Sequence, residues 1–426
     1  MCLLILFCHL QSKAQNQLKE LFRMADTTNT EIRLIQLQKF INGEERKSYL
    51  SARFPQLNFN ADYKYNAIIP GQVVPAAFFG GAPGTYATVE FGVPYVLSNN
   101  IQLSQVLFNS QLNYGLAALK INKDILSIQE NMTTQDIRYE IASKYLQYQG
   151  LLLQKEYLDS NLQITMQLKE NMHALVDQEL KIALDEKKLM LMANELEIFK
   201  ETIDANLSTL EDYIFLLCGI SKESGYTLHK QDDLDEGVLD INSNEQWYGI
   251  DLLNMQYKMS KEEIKGLKMA YLPSVNAYGI YNYSYNVKPE DNFRTGIDGA
   301  FLGIRADWNL FDGLQKQNKI KMARYKQTQI QMQIEHTQKQ LSIAKIDAKK
   351  HVKIAENKYK LTQENLSLSL ELYQNNLLKY QQGLLGSSDL LVSLNKVVSS
   401  RNNLAISLTE WRTKKLNYLK IIGNIN

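Results

Sequence analysis

The sequence AYLPSVNAYGIYNYSYN, residues 270–286, has an earlier counterpart in ARFPQLNFNADYKYN, residues 52–66. Both stretches begin with an alanine three residues before a proline and end in clustered tyrosines. They align without a gap over this length. The matched pairs are Ala52 and Ala270, Pro55 and Pro273, Asn58 and Asn276, Tyr63 and Tyr281, and Tyr65 and Tyr283.

The correspondence continues downstream of these two stretches. QVLFNS (105–110) corresponds to WNLFDG (308–313), and VDQELKIALDEKKL (176–189) corresponds to YQQGLLGSSDLLVS (380–393). Matches in a fixed order at nearly constant spacing indicate one structural unit used twice, each with a helix, a β-hairpin and a long helical hairpin. We therefore divide the chain into a signal peptide (1–14), a first repeat (15–220), an equatorial linker (221–247) and a second repeat (248–426).

The N-terminus has the pattern of a secretory signal peptide. Residues 2–10, CLLILFCHL, are apolar, and Ser12 and Ala14 give a small-x-small cleavage pattern before Gln15. The alternative is a buried N-terminal segment. Cys2 and Cys8 would be removed with a signal peptide, which leaves Cys218 as the single thiol and allows neither an intrachain disulfide nor a thiolate metal cluster.

Proline is confined to the neighbourhood of the Tyr-rich stretches. Segments 111–218 and 314–422 contain none and only Gly115, Gly150, Gly383 and Gly386 among the glycines, so both can be helical throughout. Each is long enough for two antiparallel helices of roughly 45 to 60 residues. From Ala348 an apolar and small-residue seam follows 4-3-4-3 spacing through Val352, Ala355, Tyr359, Thr362, Leu366, Ser369 and Tyr373. Coiled-coil layers and an ordinary soluble bundle both explain this seam.

The Tyr-rich stretches alternate with a period of two. Leu57, Phe59, Ala61, Tyr63 and Tyr65 alternate with polar residues that include Asp62 and Lys64, and Val275, Ala277, Gly279, Tyr281, Tyr283 and Tyr285 do the same. Such alternation ending in tyrosines is typical of transmembrane barrel strands, although a buried sandwich strand also alternates. In the barrel interpretation Asp62 and Lys64 face the lumen, and Tyr63, Tyr65, Tyr281 and Tyr283 lie at the lipid interface.

Each Tyr-rich strand is followed by a return strand. AFLGIRADWNLF (300–311) places Ala300, Leu302, Ile304, Ala306 and Trp308 on one face, with Arg305 and Asp307 on the lumen face, and NNIQLSQ is the best candidate in the first repeat. The segments 67–85 and 287–298 are expected to be outer loops. Two hairpins give four strands, fewer than the roughly eight that a closed single-chain barrel needs, so the chain is expected to oligomerise.

These features resemble the TolC-like outer-membrane efflux protein family. The resemblance covers the chain after the signal peptide and rests on the AxxPxxxxxxxY start of each first strand, on QVLFNS and WNLFDG, and on KYQQGLLGSSDLL (379–391). It implies a mainly α fold with a small β part, in which long antiparallel coiled-coil helices form a periplasmic α-barrel. Four strands per chain would contribute to a trimeric 12-stranded outer-membrane β-barrel.

The resemblance also implies a function. The family supplies the trimeric outer-membrane channel of tripartite efflux or type I secretion systems in Gram-negative bacteria. Its expected partners are two further copies of the chain, a periplasmic adaptor (membrane fusion protein), an inner-membrane pump of the RND or ABC type, and outer-membrane lipid. The competing hypothesis is a periplasmic coiled-coil adaptor or scaffold, in which the same tyrosines would be buried in a soluble domain.

The tip motif carries the family's Tyr-x-x-Gly…Asp pattern in Tyr380, Gly383 and Asp389, and Asp185 matches Asp389 in the first repeat. In the family this region forms the periplasmic tip and supplies aspartates to a pore constriction, where three Asp389 side chains would make an anionic ring. Alternatively, Asp389 caps a helix beginning at Leu390, as Ser387 or Ser388 could equally do. Val392 stands where some members carry a second aspartate, and Glu179 stands where the second repeat has Gly383.

Other signals point away from catalysis and metal binding. His173, His229, His336 and His351 have no partner of metal-binding spacing, and the acidic run at 232–236 lacks the spacing of a calcium loop. No nucleophile, base and orienting group stand in a recognisable pattern. We therefore predict neither an enzyme nor a cofactor or metal site, and no nucleic-acid partner for a chain of formal charge +1.

Overall fold

A computed structural model describes residues 17–178, 183–230 and 245–425. The predicted signal peptide, Glu179 and the acidic run at 232–236 lie outside these residues. The chain forms the helices α1 (Gln17–Thr28), α2 (Thr30–Ser51), α3 (Ser110–Asp177), α4 (Ala183–Cys218), α5 (Tyr248–Met269), α6 (Gln315–Gln381) and α7 (Ser387–Ile422). None of the helices among the described residues contains an apolar stretch long enough to cross a membrane.

The strands form one antiparallel sheet and one ribbon. The sheet has the order β1–β4–β5–β6, and β2 pairs with β3 in the ribbon. Their bounds are β1 (Gln56–Tyr65), β2 (Gly71–Pro75), β3 (Tyr86–Glu90), β4 (Tyr95–Phe108), β5 (Ser274–Lys288) and β6 (Phe293–Asp307). Both strands that the sequence predicted in each repeat are therefore present.

The two outer loops differ from their prediction. The stretch 67–85 contains β2 and the whole turn of the ribbon, and β3 follows it. GQVVP and YATVE form strands because their β-branched residues suit paired strands. In the second repeat, β5 and β6 extend so far that only a turn at Pro289–Asp291 and Asn292 joins them. The loop expected at 287–298 was therefore wrong for most of its length.

The order of elements repeats. A 22-residue helix, a hairpin, a very long helix and a 36-residue helix occur in the first half as α2, β1, β4, α3 and α4 and in the second as α5, β5, β6, α6 and α7. The very long helices have 68 and 67 residues. The expectation of two helices of roughly 45 to 60 residues in each segment was wrong, because the turn lies about two thirds of the way along each segment.

The chain separates into two compact units. One contains the described residues of 1–39, 125–254 and 332–426, and the other contains 40–124 and 255–331, which include the whole sheet. The core of the first unit forms around α1, whose Leu18, Leu21, Phe22 and Ala25 are buried. Their spacing puts them on one helical face, and burying each large apolar side chain stabilises the fold by about 1.5–3 kcal/mol.

The seam predicted on α6 is a packing surface within the same unit. Val352, Ala355, Ser369 and Tyr373 are buried, whereas the lysines and glutamates between them are mostly exposed. Tyr359 stacks on Trp411 of α7 with ring centroids 5.4 Å apart, and the Thr362 and Ser407 hydroxyls are hydrogen-bonded at 2.6 Å. The heptad pattern therefore marks residues through which α6 packs against α7.

Candidate functional site

The strand register gives the sheet one apolar and one polar face. Ile101 lies opposite both Phe59 and Tyr281, and Tyr281 lies opposite Ala300. Directly opposite residues share a face, so this row crosses all four strands. Leu57, Phe59, Leu302 and Ile304 on this face are largely exposed. The other face, which we call the polar face, carries Asn58, Asn60, Ser98, Asn100, Gln102, Asn276, Asn282 and Ser284, together with Tyr278, Ile280, Ile297 and Phe301.

All four residues predicted on the lumen side lie on the polar face, but in two groups. Asp62 and Lys64 form an exposed ion pair of 2.9 Å near the hairpin end of the sheet. Arg305 lies opposite Asn276 and Asp307 opposite Ser274, at the end that leads into the helices. About eight residues, or roughly 26 Å, separate the two groups along the strands. Arg305 and Asp307 line a polar recess of about 250 Å³, where the guanidinium lies 5.7 Å from the centre of the Tyr278 ring.

The four predicted interface tyrosines share the apolar face and are exposed. Their exposed fractions range from 66% for Tyr63 to 37% for Tyr283. Tyr63 lies opposite Leu97, which lies opposite Tyr285, whereas Tyr281 lies level with Phe59 in the middle of β5. The sequence analysis did not include Tyr285 among the lipid-interface tyrosines, although the period of two already placed it on this face.

The helix α6 is followed, in the tip motif, by Gly383 in a left-handed conformation. Gly383 has φ +74°, its amide donates to the Tyr380 carbonyl at 3.0 Å, and the Leu384 amide donates to the Lys379 carbonyl at 2.9 Å. This pair of bonds is the Schellman arrangement, which needs a residue without a Cβ penalty at this position. Gly383 thus has a structural reason for its place in the motif.

The helix α7 begins at Ser387, with Gly386 as its N-cap. The expectation of a helix beginning at Leu390 was wrong by three residues, so Asp389 lies inside the first turn and does not act as the N-cap. Ser387 is buried, and the Asp389 side chain is exposed. A carboxylate in the first turn interacts favourably with the positive end of the helix dipole.

Asp185, the counterpart of Asp389, has a different environment. It accepts a 2.5 Å hydrogen bond from the Ser387 hydroxyl and a 3.2 Å bond from Lys188. Lys188 also donates to the Ser388 hydroxyl at 3.1 Å. These contacts connect the first turn of α4 to the first turn of α7.

A groove of about 510 Å³ lies beside this connection. Tyr380 lines it, and its hydroxyl lies 3.8 Å from the sulfur of Met172. Burial, followed by the charge of Asp185, raises the pKa of Tyr380 above its ordinary value of 10.0. The tyrosine is therefore neutral at physiological pH. Leu168, Leu175, Leu189, Leu377 and Leu390 make the groove mainly apolar.

The helices α4 and α6 carry exposed apolar stripes that the sequence analysis did not identify. Leu184, Leu191 and Ile198 on α4, and Ile354, Leu361 and Leu368 on α6, recur every seven residues and are each more than half exposed. Residues seven apart lie on one helical face. The seven-residue spacing of these apolar residues was present in the sequence. On α6 it was obscured by the buried seam, which has the same period.

The histidines and carboxylates form no metal centre in the part of the chain that the structure describes. No group of three or more His, Cys, Asp or Glu side chains there could hold a metal ion. His173 contacts Glu186 at 3.1 Å and Asp177 at 3.6 Å, which links α3 to α4 near the tip.

Comparisons with known proteins identify the fold. No family model and no curated protein sequence matches the chain. Among solved structures, CusC, described with transmembrane channel formation, has a TM-score of 0.78 at 15% identity and covers 96% of this chain and 92% of its own. The outer membrane protein VceC of Vibrio cholerae gives 0.73 at 13% identity, with 96% of each chain covered. The open-state outer membrane channel MtrE of Neisseria gonorrhoeae gives 0.70 at 14% identity, with 96% and 89% covered.

These likenesses show the fold of this chain. Its long antiparallel helices and four strands are arranged as in outer-membrane channels over nearly the whole length. The mainly α fold of the chain, with long helices and four strands, that the resemblance to the TolC-like family implied is confirmed.

Proposed function

We propose that the chain is one subunit of a trimeric outer-membrane channel, a passive export duct of a Gram-negative bacterium. The observation that carries this proposal is the sheet, which has an exposed apolar face, a polar face and two unpaired edges among the described residues, on β1 and β6. Such a sheet is stable in lipid only when its edges are paired, because each unsatisfied backbone group there costs several kcal/mol.

Association of three copies would pair the edges of the sheet and give its apolar face a lipid environment. Pairing of β1 with β6 of the next copy gives twelve strands, with Leu57, Phe59 and Leu302 towards lipid and Asn58 and Asn60 towards water. The exposed stripes on α4 and α6 supply a second apolar surface for neighbouring copies, at the spacing used in coiled coils. The solved structures of similar fold are described as outer membrane channels, which supports the same assignment.

The tip is the proposed contact with a periplasmic adaptor. The apolar groove beside Tyr380 and Gly383 offers a site for an apolar helical segment of a membrane fusion protein. Through this adaptor the duct would receive cargo from an inner-membrane pump of the RND or ABC type, as part of an efflux or type I secretion system. Three exposed Asp389 side chains around the trimer axis would form an anionic ring that favours cations.

The exposure of the tyrosines argues against the scaffold hypothesis. A soluble scaffold should bury Tyr63, Tyr65, Tyr281 and Tyr283, and all four are exposed. Leu302 on the same face is 93% exposed. Contiguous apolar surface of this kind marks an interaction with lipid or protein.

The test is to express the full chain with a functional signal peptide, isolate outer membranes and measure the mass of the detergent-solubilised particle. We expect a heat-sensitive particle of three chains. Tyr281→Arg on the apolar face should prevent its assembly, since a cation at the bilayer midplane costs about 2–4 kcal/mol in a barrel. Asn282→Arg on the polar face is the matched control and should assemble. A monomeric periplasmic protein, or equal behaviour of the two variants, would contradict the proposal.

A further inference from the structure

The turn between β6 and α6 exposes a group of large apolar side chains. Leu310 and Phe311 are 78% and 79% exposed, and Leu314 is 57% exposed. Trp308 and Leu310 continue the alternation of Leu302, Ile304 and Ala306 beyond the end of the strand. The apolar alternation of the sequence therefore continues past the last paired residue, Asp307.

The side chains of Trp308, Asp312 and Lys316 make hydrogen bonds within this part of the chain. The Asp312 carboxylate accepts from the Lys316 amide at 3.0 Å, and the Lys316 ammonium donates to the Asn309 carbonyl at 2.9 Å. The Trp308 indole donates to the Tyr271 carbonyl at 2.9 Å. Polar groups that are already hydrogen-bonded can leave water at low cost. The turn therefore presents its apolar side chains outward while these three polar side chains are hydrogen-bonded.

The backbone of the turn is strained at Leu314. This residue has φ +69°, a left-handed conformation in which its Cβ crowds the following carbonyl oxygen. Glycine or asparagine adopts this conformation more readily. Leu314 is both strained and more than half exposed, so its side chain is available to a partner outside the described chain.

A group of cations follows directly. Lys319, Lys321, Arg324 and Lys326 are exposed, and the sequence has no Asp or Glu between Asp312 and Glu335. In the other repeat, the first ten residues of α3 (Ser110 to Leu119) carry no charge. We call Lys319, Lys321, Arg324 and Lys326 the basic collar.

We propose that residues 308–326 are an anchor on the phospholipid surface of the periplasmic leaflet. Trp308, Leu310, Phe311 and Leu314 insert among acyl chains, and the basic collar contacts headgroup phosphates. Two observations select lipid as the occupant: the exposed apolar side chains follow directly on the apolar face of β6, and the helical turns after them carry exposed cations and no Asp or Glu. Interfacial segments combine apolar insertion with Lys and Arg in this way. The proposal rests on the proposed function for its position beside the membrane.

The first test measures the depth of the turn in lipid. The variant F311W is made in a chain that also carries W247F, W308F and W411F, so that Trp at position 311 is its single tryptophan. This chain is reconstituted in phosphatidylethanolamine–phosphatidylglycerol vesicles with brominated acyl chains. We expect strong quenching by bromine and little by aqueous iodide, and the reverse for T328W in the same background. Both readings are made on the heat-sensitive trimer. A trimer in which F311W is shielded from lipid would overturn the anchor and leave the channel intact, whereas a chain that never enters membranes would overturn both.

The second test measures the basic collar. K319Q/K321Q/K326Q is compared with K339Q/K349Q/K350Q, which removes the same charge from exposed positions further along α6. Binding of phosphatidylglycerol in mixed micelles should weaken roughly fivefold for each collar lysine removed, and hardly at all for the control. Equal weakening in the two triple variants would show non-specific attraction and overturn the collar.

Discussion

The Ser387 hydroxyl donates a 2.5 Å hydrogen bond to the Asp185 carboxylate, which joins the first turn of α7 to the first turn of α4. Asp185 and Asp389 are counterparts in the two repeats, yet Asp185 is held by Ser387 and Lys188 while Asp389 is exposed. The two halves of the tip are therefore not equivalent. One aspartate holds the helical hairpins together, and the other is available to solvent and to ions.

Removal of the connecting hydroxyl should loosen the tip. A hydrogen bond to a charged group contributes about 1.5–3 kcal/mol, so Ser387→Ala should increase amide exchange in the first turns of α4 and α7 without changing assembly. Ser388→Ala is the matched control, because Ser388 is exposed and bonds only to Lys188 among the described residues. Equal exchange in the two variants would show that the bond has no role in tip stability.

The exposed aspartate should affect ions and leave stability unchanged. Asp389→Asn removes a charge that has no ion pair within the described part of the chain, so the melting temperature of the trimer should stay within about a degree. Conductance recordings in planar bilayers should show a loss of cation preference, because the proposed ring would lose three charges. Asp185→Asn should do the opposite, with a lower melting temperature and little change in ion preference.

The strand faces could be predicted from the sequence because the side-chain period of a strand is two. Phe59 and Tyr281, assigned to equivalent faces before any pairing was known, lie in one row through Ile101. Element boundaries also fall at equivalent positions of the repeat. Ser51 and Met269 end α2 and α5, and Gln56 and Ser274 begin β1 and β5. Agreement between local periodicity and the repeat is what made these assignments reliable.

The tip contacts could not be predicted in the same way. A heptad seam continues through any number of turns, so it does not reveal where a helical hairpin reverses. The Gly383 motif marks that point in the second repeat, but the first repeat has Glu179 there. Whether an aspartate is bonded depends on the side chain that the other repeat places beside it. Ser387 lies 202 residues from Asp185, and no local pattern relates them.

The turn glycine should tolerate no side chain. Gly383→Ala would place a Cβ on a left-handed residue, which costs about 1–2 kcal/mol, although open space surrounds the position. We expect faster proteolysis at the tip and weaker adaptor binding. Gly386→Ser is the control, since Gly386 has φ −75° and serine is a favourable N-cap. Greater damage from Gly386→Ser than from Gly383→Ala would contradict this account of the motif.

The buried thiol of Cys218 should report unfolding. Burial raises its pKa from 9.0 to about 12, so the folded chain keeps it protonated while the unfolded chain ionises it above about pH 9. This group therefore loses its stabilising contribution as the pH rises from 9 towards 12. In a chain without Cys2 and Cys8, alkylation at pH 8 should occur only after denaturation. Cys218→Ala should lower the dependence of unfolding on pH above 9. Rapid alkylation of the native trimer would show that the thiol is accessible.

The close approach of α3 and α7 at Gly150 should be sensitive to one methyl group. A Cβ at this position would collide with the Thr409 hydroxyl, which is itself held by a 2.9 Å bond to the Ala405 carbonyl. Overpacking costs about 1–3 kcal/mol, whereas helix propensity favours alanine over glycine by only about 1 kcal/mol. Gly150→Ala should therefore lower the melting temperature of the detergent-solubilised trimer.

Two further variants separate packing from propensity at this contact. Gly43→Ala in α2 meets no atom within 4 Å, so it should raise stability by the propensity alone. Thr409→Ala removes the clashing oxygen, and the double variant with Gly150→Ala should recover much of the lost stability, because the two residues are in direct contact. Additive effects of Gly150→Ala and Thr409→Ala would mean that the helices do not meet here, and the packing of α3 against α7 would then need another explanation.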